Sequence, residues 1–295
     1  MSSLPLHGLV AAVPTAFHDD GALDLDGLAA LVAVAGDAGA RGVLVLGADG
    51  EPGTLDPDER RRVVTVAQRA AGGLPVLVGL GAPRAEVQEE AARLAVDLGA
   101  AALVAVLGAD DGADERVARL ASHGPPLVLT HDPARSGRDA AHGDVVALAA
   151  AAGVAAVVAE APSTPDLVAA AVAADLPAFG GGAGLLLVEE LESGAGGTVC
   201  GGALPELLAI ACTAHAGGDA SAARDAHATA GAYLRLEAQP GTAAIAVRKE
   251  AWRQRGVLAS GRLRRGRPLD AATKRAVTRR LRDAGVSPTA PWPDA

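Results

Sequence analysis

The sequence predicts an α/β fold, a (β/α)8 barrel with a C-terminal helical extension. Three observations carry that prediction. Eight short Val/Leu-rich runs alternate with helical patterns, the arrangement that yields a parallel sheet covered by helices. The alternation stops near residue 218, after which only helical patterns follow. Half of the 295 residues are apolar, yet only five are aromatic, so the core is built from Ala, Val and Leu, which suits helices packed closely on buried strands.

Taken in order, the strands fall at LVAAVPT (9–15), GVLVLG (42–47), PVLVGLG (75–81), AALVAVLG (101–108), PLVLTHD (126–132), VAAVVAE (154–160), PAFGGG (177–182) and GTVCGG (197–202). In the first helix Leu28, Leu31, Val32 and Ala35 share one face at i, i+3, i+4, i+7 spacing. Asp56-Pro57-Asp58-Glu59 offers the next helix an N-cap, a proline at its first position and the acid of a capping box. Thr164-Pro165-Asp166 repeats that chemistry further on. Gly39, Gly72, Gly99 and Gly153 each follow a helical run, where a left-handed C-terminal residue is expected. The barrel is assigned to residues 1–218 and the extension to 219–295, with helices at 221–238, 242–257 and 270–285 and coil over Pro288–Ala295.

A net charge of -9 argues against a nucleic-acid partner or an anionic membrane surface. The stretch Arg262–Arg282 is nevertheless strongly basic. It reads as a solvated helix face or an intersubunit salt-bridge surface, with an anionic partner as the other reading. Cys200 and Cys212 are too few for a disulfide scaffold or a zinc site. MSSLPLHGLV has no charged region leading into a long apolar run, and no uncharged stretch is long enough to span a bilayer. A cytoplasmic protein is expected.

Several segments, in order, resemble the dihydrodipicolinate synthase / N-acetylneuraminate lyase family. Pro14-Thr15-Ala16-Phe17 and the acidic turn after it are similar to that family's opening T-P-F. Gly47-Ala48-Asp49-Gly50-Glu51, then Leu55 to Arg60, resemble its G-T-T-G-E and L-x-x-x-E-R. Thr130-His131-Asp132-Pro133-Ala134-Arg135-Ser136-Gly137 sits where the family has Y-N-x-P-G-R-T-G. Val157 to Ala161 aligns with G-I-K-D/E-x, and Gly261 to Leu269 resembles the stretch before the last helix. The resemblance implies a TIM barrel and a lyase acting on 2-oxo acids. It implies no metal and no cofactor, and a homo-oligomer, dimer or tetramer. In the family a lysine on strand six forms an imine with the keto acid, and the protonated imine serves as an electron sink for the carbanion beside it.

In this alignment Ala159 takes the lysine's place, Thr130 that of the relay tyrosine, and Ala48 and Asp49 those of the paired threonines. Lys249 and Lys274 are the only lysines, and both fall in late helices. The positions implied for substrate contact are Thr15, Gly47, Ala48, Thr130, Arg135, Ala159, Gly180 and Gly182. Asp49 and His131 are the candidate base and acid, and Arg135 the candidate anchor for a small carboxylate. Asp132, Ser163 and Cys200 also follow strand ends. Glu160, next to the lost lysine, is expected by alternation to point away from the interior. Glu51 reads as loop support, and Cys200 and Cys212 as packing. A metal bound by Asp49, His131 and Asp132 has no compact ligand motif behind it. The Gly180–Gly184 run reads either as a phosphate cradle or as room for substrate. Three functions stand: a lyase-like enzyme using acid/base chemistry without an imine, a non-catalytic relative that binds a metabolite or partners an active relative, and a conventional pyruvate aldolase.

Overall fold

In the computed structural model, which describes residues 6–160, 163–239 and 241–293, eight parallel strands close into a barrel. They are β1 (Gly8–Ala12), β2 (Gly42–Val45), β3 (Val76–Gly79), β4 (Ala102–Val106), β5 (Leu127–His131), β6 (Ala156–Ala159), β7 (Ala178–Gly180) and β8 (Gly197–Cys200). Each pairs with the next, and β8 returns to β1 with Leu9 opposite Thr198. The helices of the barrel are α1 (Leu25–Asp37), α2 (Pro57–Ala70), α3 (Ala85–Asp97), α4 (Ala113–Ala121), α5 (Pro133–Ser136), α6 (His142–Ala151), α7 (Thr164–Ala173), α8 (Leu187–Glu192) and α9 (Pro205–Ala216). Three more follow, α10 (Ala220–Glu237), α11 (Thr242–Gln254) and α12 (Ala271–Asp283). No described helix is long and apolar enough to cross a membrane.

Seven of the strands lie within their predicted runs, β1 begins one residue before its run at Gly8, and the three last helices fall where the periodicity sets them. Strand ends are one to three residues shorter than predicted, because the segments that leave the barrel are also apolar or glycine-rich. Residues 1–5, Ala161 of the strand-six motif and the last two residues of the predicted coil lie outside the described residues.

Alternation sorts the strand residues into two layers. Val10, Leu44, Leu77, Val104, Val158 and Phe179 fill the barrel interior. The neighbours of opposite parity, such as Leu9, Val43, Leu103, Leu129 and Val157, pack under the helices. The α1 face of Leu28, Leu31, Val32 and Ala35 is buried there.

The helix ends carry the chemistry expected of them, with one exception. At α2 the Asp56 side chain accepts from Glu59 N–H while Glu59 reaches back to Asp56 N–H, a complete capping box. Gly39, Gly72, Gly99 and Gly153 all have positive φ. At α7, however, the N-cap is Ser163, itself left-handed, and it makes no side-chain cap bond. Thr164 is already helical and buried beside the Glu190 carboxyl.

Candidate active site

The C-terminal ends of the strands surround a cavity of about 130 Å3. This is the end of a parallel barrel where loop residues from all strands converge. Gly47, Ala48 and Asp49 reach it after β2, Thr130, Asp132 and Arg135 from β5 and α5, and Glu160 from β6. One further group arrives from outside the barrel, Arg248 on α11.

The β2 exit is bent sharply to present Asp49. Leu46 and Glu51, on either side of it, both hold positive φ (56° and 47°). Side chains with a Cβ rarely adopt that conformation, and such strain persists where the surroundings enforce it. Gly79 on β3 makes it feasible, since a Cβ there would lie 2.4 Å from the Leu46 carbonyl oxygen. Behind the turn, Glu51 pairs with the buried Lys249 and accepts the backbone N–H of Arg264 (3.0 Å). Glu51 is loop support, as its motif suggests. Thr15 serves the same turn, its buried hydroxyl donating to the Gly50 carbonyl (2.7 Å).

Asp49 is not a free base. Arg248 lies against its carboxylate and also contacts Glu237 of α10 at 2.6 Å. Burial pulls the guanidinium's pKa down, but Asp49 and Glu237 raise it further, so it stays charged. Gly201 leaves room for this pair, because a Cβ there would meet Asp49 Oδ2 at 2.4 Å and Arg248 Cδ at 2.8 Å. Arg248 and Glu237 escaped the sequence reading because nothing local marks them. Arg248 is 199 residues from Asp49 along the chain.

Two positions require correction. Expected to face outward, Glu160 lines the cavity, while Ala159 is fully buried in the helix-facing core. Val158 is an interior residue, and alternation then turns Glu160 inward. The parity of β6 was the available signal: His131 is opposite Ala159 and Thr130 opposite Val158. For the same reason His131 is turned outward, with Leu127 and Leu129, and is buried and absent from the cavity wall. Its Nδ1 has no hydrogen-bond partner, and burial lowers its pKa. Asp49 and His131 therefore do not meet. No group of three His, Cys, Asp or Glu among the described residues is arranged to hold a metal ion.

Glu160 is the cavity carboxyl held well above the ordinary carboxylate range. Burial, reinforced by the like charges of Asp132 and Asp49, raises its carboxyl to about 7, against the Gly182 hydrogen bond and the Arg135 charge. A carboxyl poised there exchanges a proton readily near neutral pH. The glycine-rich turn after β7 is shaped around it. Gly182 N–H donates to Glu160 Oε2 (2.7 Å), and a Cβ on Gly181 would lie 2.6 Å from Glu160 Cδ. The turn read as a phosphate cradle is thus occupied by the protein's own carboxyl. Neither Gly180 nor Gly182 lines the cavity, whereas Ala183 does.

Arg135 stands at the rim, one-third exposed, with Asp132 Oδ2 3.9 Å from its Nε. That contact is loose enough to leave the guanidinium able to take an anion. Ser163 is absent from the cavity wall. Cys200 touches the cavity, but burial pushes its thiol well above the ordinary range and leaves it inert. Neither lysine lines the cavity: Lys249 is held by Glu51, and Lys274 lies 4.1 Å from the Trp292 ring.

Comparison with known proteins gives a consistent picture. The model of the dihydrodipicolinate synthetase family matches residues 5–282. An uncharacterized DapA-like lyase of Halobacterium salinarum is 35% identical over 235 residues, 77% of each chain. A probable 5-dehydro-4-deoxyglucarate dehydratase of Streptomyces avermitilis is 40% identical over 120 residues, 39% of this chain and 36% of that one. Among solved structures, dihydrodipicolinate synthase from Rhodopseudomonas palustris superposes with a TM-score of 0.88 at 25% identity, over 95% of this chain and 98% of the other.

Proposed function

The chain belongs to the dihydrodipicolinate synthetase family, and we propose that it is a lyase-like member acting on a small carboxylate or 2-oxo acid without an imine. The observation that carries this reading is Glu160, a carboxyl at about 7 turned into the barrel mouth at the end of β6. Arg135 holds the substrate's carboxylate, and Thr130 supplies a hydrogen bond beside it. Glu160 removes a proton from the carbon next to the carbonyl, the freed electron pair forms a C=C bond as the neighbouring C–O bond breaks, and Glu160 gives the proton to the departing hydroxyl, which leaves as water. A single residue serves both steps when its pKa lies near the working pH. Elimination of water is the reaction type that the dehydratase relative's name suggests. Self-association, in keeping with the family resemblance, belongs to the same proposal.

A second reading has its own support. Asp49 is tied to Arg248, and the cavity is small, which suits a member that binds a metabolite and turns nothing over.

Borohydride trapping with pyruvate and other 2-oxo acids, read by intact mass, is the first test. No adduct is expected. An adduct on Lys249 or Lys274 would restore imine chemistry and overturn the proposal. For a compound that is turned over, Glu160→Gln is expected to lower kcat about a hundredfold and remove the limb of the pH profile near 7. Saturable binding with no turnover across the panel supports the second reading instead.

A further inference from the structure

The C-terminal helices enclose a second cavity, of about 450 Å3, that shares no wall residue with the barrel mouth. It lies between α11, α12 and the segment joining them, and metabolite-sized sites have this volume. Four cations line it, Arg253, Arg262, Arg264 and Lys274, against two acids, Asp19 and Glu250. The acids are already engaged. Glu250 pairs with Arg253 at 2.7 Å and accepts from Gln254 at 2.8 Å, while Asp19 accepts the Ser260 hydroxyl at 2.6 Å. Arg264 is held by Glu59 at 2.5 Å.

Arg262 and Lys274 remain. Neither has a carboxylate within ion-pair distance among the described residues. They come from different segments, one from the connecting loop and one from the first turn of α12, and both line this cavity, Arg262 exposed and Lys274 half-buried. Lys274 is also positioned in advance, its Nζ 4.1 Å from the centre of the Trp292 ring. Two cations of the basic stretch that the barrel mouth leaves unused thus line one cavity, in a chain whose net charge is -9.

We propose that this cavity binds a small organic anion carrying more than one negative charge, a phosphorylated or polycarboxylate metabolite. Arg262 and Lys274 neutralise it, and the half-buried pairs Arg253–Glu250 and Arg264–Glu59 hold the wall around it. This site stands independently of any activity at the barrel mouth.

The test is titration of the full-length protein at low ionic strength with citrate and, separately, with inorganic phosphate. Calorimetry and Trp fluorescence provide the readouts. Saturable binding in either arm is expected, weakening as salt is added, and the stronger arm identifies the anion's class. Trp292→Phe is expected to abolish the fluorescence change, leaving Trp252 silent. The double variant Arg262→Gln/Lys274→Gln is expected to weaken binding about tenfold or more, and Arg135→Gln at the barrel mouth to leave it unchanged. Absence of saturable binding at low ionic strength overturns the proposal. So does binding that survives the double variant but is lost with Arg135→Gln.

Discussion

Among single side chains, Arg248 links the barrel to its helical extension. It is 4% exposed and lies between Asp49 of the β2 exit and Glu237 of α10. A buried ion pair adds little net stability when intact, because desolvation offsets the attraction. Removing one partner is different, since the remaining charges stay buried without compensation. Arg248→Met is therefore expected to cost about 3–5 kcal/mol in urea denaturation. Adding Glu237→Gln and Asp49→Asn should recover part of that loss. If the single variant is as stable as the wild type, the pair does not hold the extension in place.

Among the elements, glycines mark where strands and turns come closest. β8 begins at Gly197, opposite Gly8 of β1, and a Cβ there would lie 1.9 Å from the Gly8 carbonyl oxygen. Backbone cannot yield as a flexible side chain does, so Gly197→Ala should destabilise the barrel seam by about 3 kcal/mol. Gly143, in the first turn of α6, has nothing within 4 Å of its hypothetical Cβ. Gly143→Ala should therefore be neutral or stabilise by up to about 1 kcal/mol, through helix propensity alone. Thermal unfolding of the two variants side by side checks both signs.

For the molecule as a whole, buried acids make stability depend on pH. Glu190 is fully buried under β7, and burial raises its carboxyl to about 7 from an ordinary 4.5. The folded state thus binds this proton more tightly than the unfolded chain does. Its contribution is fully present below about 4.5 and is lost as pH rises through about 7. The loss is on the order of 3 kcal/mol. His131 acts in the opposite sense, since burial lowers its pKa and its cost fades as pH rises. Subtracting a variant isolates the Glu190 part. Glu190→Gln should gain stability relative to wild type between pH 5 and 8, and equal gains at every pH would count against this account.

The eight strands, the capping box at α2, the buried face of α1 and the three last helices were legible in the order of residues. These features depend on neighbours within a few positions, where alternation, helical spacing and turn chemistry act. At the barrel mouth, Gly47, Ala48, Asp49, Thr130 and Arg135 were legible through a motif, and all five line the cavity. The inward turn of Glu160 and the outward turn of His131 depended on the parity of short strands, where a slip of one residue exchanges the two faces. Arg248 and the anion cavity depended on how α11 and α12 dock. That docking is set by contacts between segments far apart in the chain, so no local pattern in the sequence could announce it.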